Sequence, residues 1–129
     1  EIRLSLVGSE MCKETAPESR ALYRLTKRVS PDLVVALHTQ GRVIYWRYLD
    51  LEPPGARRCG EALAATSGYA LEDTPYASGH AGFKDWFLQR FRRPGFTIEA
   101  GLGENPLPLT QLEEMVRRNA PLLAAALAK

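Results

Sequence analysis

The chain has 129 residues, a net charge of +2, and hydrophobic and charged shares of 45% and 25%, which suit one globular domain, residues 1–129, with a core of its own. Its basic residues come in separate pairs (Lys27-Arg28, Arg57-Arg58, Arg92-Arg93, Arg117-Arg118), a pattern of solvated helix faces and ends that gives no argument for nucleic acid. No apolar run approaches the roughly 20 residues of a membrane-spanning helix, and there is no repeat or signal-peptide pattern.

The first residue is Glu1 rather than methionine, so the chain is expected to be a processed product or a piece of something longer. Cys12 and Cys59 lie far apart and lack the close spacing of a zinc-cysteine site. They are expected to be free thiols, although spacing does not decide whether they pair.

Residues Ile2 to Val7 alternate apolar and polar and suggest a first strand. Thr15-Ala16-Pro17-Glu18 matches a capping box with proline in the first turn, and Leu22, Leu25 and Val29 give the helix an inward stripe. Ser30-Pro31 ends that helix. Leu33-Val34-Val35-Ala36-Leu37 is a run of apolar residues short enough for a buried strand, with His38 at its exit and Gln40-Gly41 closing it. Val43 to Tyr48 is rich in β-branched and aromatic residues, and its short connection to the preceding strand predicts an antiparallel hairpin.

An alanine-rich helix follows over Ala56 to Ser67, capped by Gly68. Tyr69 to Ala77 has no clear period and reads as an ordered loop. In the next helix Phe83, Trp86, Phe87 and Phe91 share a face that is expected to be core. Arg93-Pro94-Gly95 breaks it, and Phe96 to Ala100 forms a strand carrying Glu99. Thr110-Gln111-Leu112-Glu113 predicts a second capping box. It opens a terminal helix with Leu112, Met115, Val116, Leu123 and Leu127 inward and Pro121 kinking or dividing it. The fold class is therefore α/β, a mixed sheet of three to four strands flanked by helices.

Two residues stand out chemically. His38 leaves the core where ligands of α/β sheets usually bind, and imidazole is the commonest metal ligand. On spacing alone, a hydrogen-bonded strand-end histidine is the leading reading of it. Glu99 lies between Ile98 and Ala100, where a carboxylate is costly unless it is paired, working or turned to solvent. Partial burial there would raise its pKa toward that of a general base. Only two histidines occur, and no other ligand has a spacing that would complete a catalytic zinc site of three protein ligands. There is no nucleophile elbow, phosphate loop or dinucleotide fingerprint.

Four stretches in order carry a resemblance: Ala36-Leu37-His38-Thr39-Gln40-Gly41, Thr74-Pro75-Tyr76-Ala77-Ser78-Gly79, Asp85-Trp86 and Phe96-Thr97-Ile98-Glu99. From about Glu18 onward they resemble the C-terminal half of the zinc carboxypeptidase A-like metallopeptidases. The segments Leu37 to Trp46 and Gly95 to Gly101 look closest to the bacterial branch that includes gamma-D-glutamyl-L-diamino acid endopeptidases, which cut peptidoglycan stem peptides. The resemblance implies that His38 is the family's third zinc ligand and that Glu99 is the general base acting on zinc-bound water. It further implies that Tyr76 closes over the substrate, although Tyr76 stands one residue out of register with the family pattern. The stretch from Ala77 to Trp86 would line the specificity pocket, with Gly82 or Lys84 facing the substrate and a lysine favouring an acidic group. It also implies a bacterial setting, cytoplasm or cell wall.

The family's other two zinc ligands lie in an N-terminal half that this chain lacks. The leading expectation is thus the C-terminal part of a zinc peptidase acting on peptide, murein peptide included, and inactive without its missing half. The alternative is a non-catalytic binding or assembly module on half a peptidase fold. A chance resemblance would leave His38 and Glu99 on opposite sides of the sheet. A half fold also exposes a sheet edge or an apolar face, so self-association is expected.

Overall fold

The computed structural model of the protein describes residues 16–76 and 82–128. The expected strand Ile2 to Val7, the capping residue Thr15, Cys12, His80 and the segment Ala77 to Ala81 lie outside the described residues. The described chain contains four α-helices and one four-stranded mixed sheet. The helices are α1 (Pro17–Val29), α2 (Ala56–Ser67), α3 (Phe83–Phe91) and α4 (Leu112–Leu127). The strands are β1 (Val34–Thr39), β2 (Val43–Tyr45), β3 (Ala70–Glu72) and β4 (Gly95–Ala100), arranged in the order β1-β4-β2-β3.

The predicted hairpin does not form. β4 lies between β1 and β2, parallel to β1 and antiparallel to β2. The segment Gln40–Arg42 therefore crosses the end of β4, a span of about 9.6 Å at two strand spacings. Four Cα steps of about 3.8 Å suffice for it. The Gly41 N–H donates to the Gly101 carbonyl at 2.9 Å, which ties the crossover to the end of β4. Short sequence separation suggested pairing; the longer ladder available between β1 and β4, six residues in register, took the inner position instead. The expected loop after Tyr69 also begins as a strand, β3, because Ala70 to Glu72 pairs in parallel with Val43 to Tyr45.

Strand alternation sorts the side chains into two faces. On one face Ile44, Phe96 and Ile98 are fully buried with Leu63 of α2 and Leu122 of α4, and Leu33 and Val35 pack on the same cluster. The buried side chain of Cys59 belongs to it. Each fully buried side chain of this size contributes roughly 1.5–3 kcal/mol. The other face meets α3, where Val34 packs with Trp86, Phe87 and Leu88. The aromatic stripe of α3 is core as expected: Phe87 is fully buried and stacks on Phe91 at 4.9 Å between centroids. Gly95 makes the approach possible, since a Cβ there would lie 2.6 Å from Leu88 Cδ1 and 3.0 Å from Val34 Cγ2.

The helix-face expectations for α1 and α4 need correcting. In α1, Leu22, Leu25 and Val29 are exposed, while Thr26 is buried and Tyr23 packs on Trp86 with centroids 5.2 Å apart. Contact with the α3 aromatics decides the helix's rotation, and the aliphatic stripe faces outward. α1 starts at Pro17 with Ala16 at the N-cap and no side-chain cap bond. In α4, Leu112, Val116 and Leu127 are exposed, and Leu122, absent from the expected stripe, is fully buried. Pro121 does not divide this helix, which runs on from Leu112 to Leu127. A 3-10 turn, Leu109–Gln111, precedes it in place of the second capping box, and Gln111 instead bonds both the N–H and the carbonyl of Leu102.

Gly95→Ala is expected to push α3 off the sheet and to lower stability by about 1–3 kcal/mol, read as a lower urea midpoint. β1 is an edge strand among the described residues, with Leu37 55% exposed, and α1 presents Leu22, Leu25 and Val29 outward. Light scattering over a concentration series is expected to show association that the pair of substitutions Leu25→Lys and Leu37→Lys reduces; a clean monomer at high concentration would contradict it.

Candidate functional site

The ladder places the candidate residues in rows. His38 is opposite Glu99, Glu99 is opposite Val43, and Val43 is opposite Ala70. The next row is Ala36, Thr97, Tyr45 and Glu72. Residues level in register share a face, so His38 and Glu99 project side by side from strands spaced about 4.8 Å. The condition that would have marked the resemblance as chance, opposite sides of the sheet, is not met. Both rows lie on the α3 face, beyond the Val34–Gly95 row that α3 covers.

The electrostatics follow from this placement. Glu99 is half-buried, and burial raises its pKa above the ordinary carboxylate value, opposed by the charge of His38 beside it. The Tyr45 phenol is raised by burial and then by the carboxylates of Glu72 and Glu99. Tyr45, Thr97 and Glu72 thus share the face of the His38–Glu99 pair and were not identified from sequence. Thr97 was legible, being two residues from Glu99 in a strand. Tyr45 and Glu72 needed the register of β2 and β3.

Several contacts hold the crossover that follows His38. The Thr39 hydroxyl donates to Asn105 Oδ1 at 2.9 Å, and Asn105 Nδ2 donates back to the Thr39 carbonyl at 3.3 Å. Arg42 donates to Glu114 Oε2 at 2.7 Å. A hydrogen bond from Arg118, with the charge of Arg42 nearby, holds the Glu114 carboxyl below its usual range.

The remaining expected residues are placed differently. Tyr76, at the end of the segment that follows β3, is 79% exposed. Gly82 is exposed at the N-cap of α3, and its carbonyl accepts from the Trp86 N–H at 3.1 Å. Lys84 is turned inward and only 2% exposed. Its Nζ lies 2.6 Å from Asp85 Oδ1 and donates to Thr74 Oγ1 at 2.7 Å and to the Arg47 carbonyl at 2.9 Å. Burial pushes the Lys84 amine down, against the pull of Asp85.

Among the described residues no three His, Cys, Asp or Glu side chains gather where they could hold a metal ion. His38 and Glu99 offer one imidazole and one carboxylate, fewer than the three protein ligands a catalytic zinc takes. The described residues by themselves therefore do not fit a zinc site. A separate cavity of about 870 Å³ lies on the opposite face, lined by Leu33, Val35, Cys59, Arg58 and Leu123, away from the candidate pair. No described helix is long and apolar enough to cross a membrane.

Comparison with known proteins finds relatives that match most of this chain. The chain is 43% identical over 113 residues to gamma-D-glutamyl-L-diamino acid endopeptidase 1 of Lysinibacillus sphaericus, a match covering 88% of this chain and 28% of that protein. It is 39% identical over 113 residues to the uncharacterized protein YqgT of Bacillus subtilis (strain 168), covering 88% of this chain and 30% of that one. The chain therefore spans less than a third of the length of these relatives. No family model matches the chain.

The raised pKa of Glu99 has a stability consequence. A carboxyl whose folded pKa exceeds its unfolded value of about 4.3 favours folding below that pH, and the contribution is lost as pH rises through the folded value. Glu99→Gln removes this dependence. Thermal melts are expected to show the variant more stable than the parent near neutral pH, with the difference closing by about pH 4.

Proposed function

We propose that this chain is part of a peptidase that hydrolyses peptide bonds in peptidoglycan stem peptides, with Glu99 as the general base. The observation that supports the reading best is the in-register pair of His38 and Glu99 on β1 and β4, in a chain 43% identical over 113 residues to an endopeptidase named for gamma-D-glutamyl-L-diamino acid bonds. In this reading Glu99 takes a proton from the attacking water and returns it to the leaving amine. Partial burial suits it to that work by keeping its proton affinity above that of a solvated carboxylate. If a zinc ion is held, His38 would be one of its ligands, and the others would come from outside the described residues. When bound, such an ion polarises the scissile carbonyl and acidifies water. Tyr76 and Gly82 are assigned to the substrate side, Tyr76 in the segment after β3 and Gly82 at the start of α3.

A second reading follows from the incomplete ligand set among the described residues: a module that binds or assembles on murein peptide without turnover.

One experiment separates them. The chain is grafted into the Lysinibacillus endopeptidase in place of its matching 113-residue segment, and hydrolysis of a gamma-D-glutamyl-L-diamino acid peptide is followed. The peptidase reading expects turnover, with kcat falling about 10²–10⁴-fold in Glu99→Gln. An acid limb displaced above the ordinary carboxylate range is also expected, since the base works only when deprotonated. A folded graft without turnover that still binds the peptide would favour the module. Full turnover in Glu99→Gln would remove the base assignment.

A further inference from the structure

We propose that Lys84 is a positioning residue, acting through Thr74 to hold the segment Asp73–Tyr76 in place, and that its charge is engaged by the chain itself. Its consequence for turnover rests on the peptidase reading; the anchoring itself does not. A lysine ammonium has three N–H donors; here it makes two hydrogen bonds and an ion pair. Asp85 Oδ1 is at 2.6 Å, Thr74 Oγ1 at 2.7 Å and the Arg47 carbonyl at 2.9 Å. Lys84 and Asp85 are 2% and 4% exposed, and a charge held that deeply persists only when paired and hydrogen-bonded. Turning the amine toward a ligand would leave the Asp85 carboxylate buried and uncompensated.

Lys84 and its two hydrogen-bond partners belong to three different segments. Arg47 lies two residues past the end of β2, Thr74 two residues past the end of β3, and Lys84 in the first turn of α3. One ammonium therefore joins two strand exits to the helix packed on the sheet. The Thr74 hydroxyl completes the set: it accepts from Lys84 and donates to the Arg47 carbonyl at 2.6 Å, so its orientation is fixed from both sides. Arg47 adds an ion pair to Asp73, with Nε 3.4 Å from Oδ1. β3 has only three residues, and Pro75 and Tyr76 beyond it are exposed. Thr74 is a half-buried tie two residues before Tyr76, and it lies two residues beyond the Tyr45–Glu72 row that shares a face with Glu99.

Thr74→Val tests the tie without unpairing the buried charges, since Lys84 keeps Asp85 and the Arg47 carbonyl. In the ligand-free 129-residue chain, chymotryptic nicking after Tyr76 is expected to speed up on the order of tenfold in Thr74→Val. Thr74→Ser, which restores the hydroxyl, should return it to the parental rate. Lys84→Met should nick at least as fast, provided that its melting transition shows it folded. In the graft into the Lysinibacillus endopeptidase, Thr74→Val should lower kcat with KM little changed, and Thr74→Ser should recover it. Parental nicking in both Thr74→Val and folded Lys84→Met would overturn the proposal. It would also fall if Lys84→Met weakened binding of a peptide bearing an added carboxylate while sparing its amide, with nicking unchanged, the signature of a substrate contact. An inactive parental graft would count against the peptidase reading alone, and the nicking result would still decide the anchor.

Discussion

β4 is the constraint on which the rest of this structure depends. It is the inner strand with the longer ladder, and its residues set both faces of the sheet. Phe96 and Ile98 close the core under α2 and α4, while Gly95, Thr97 and Glu99 lie on the α3 side. Because β4 separates β1 from β2, the crossover after β1 must pass over the end of β4, where Gly41 bonds to Gly101. His38 is thereby held level with Glu99. A β1–β2 hairpin would have put a different strand beside His38.

The α3 face is graded along the strands. At the Gly95 end the sheet is tightly covered, with Leu88, Val34 and the Lys84 stem around a position where only glycine fits. Further along, Thr97 and Glu99 are half-buried and His38 is exposed. A carboxylate in such a position is desolvated enough to hold its proton more tightly, yet still has an imidazole beside it. The same sheet therefore supplies a rigid, apolar base at one end and a polar pair at the other. That division is the physical basis for assigning chemistry to Glu99 and anchoring to Lys84.

Local signals were good guides wherever neighbours in sequence decide the outcome. Gly68 caps α2 as its position predicted, with φ of 69° and its N–H on the Ala64 carbonyl. The α3 aromatics are core, and the strand after Pro94 forms. Signals failed where a distant contact competed. Leu22, Leu25 and Val29 make a regular stripe, but Tyr23 packs on Trp86 and turns that stripe away from the core. Thr110 matched a capping pattern, yet Gln111 bonds the main chain of Leu102, and a 3-10 turn takes the place of the box. Lys84 was expected from the resemblance to face the substrate, because nothing in the order of residues shows that Thr74 and Arg47 come to meet it.

The sequence by itself determined the helices, the strands around His38 and Glu99, the α/β class, and which two residues carry reactive groups at strand ends. These follow from periodicity, capping and punctuation, which act over a few residues. Tertiary structure decided the strand order, the rows that add Tyr45, Thr97 and Glu72 to the pair, the rotation of α1, and the inward turn of Lys84. Each of these is a competition among partners distant in sequence, which periodicity and capping, acting over a few residues, do not encode.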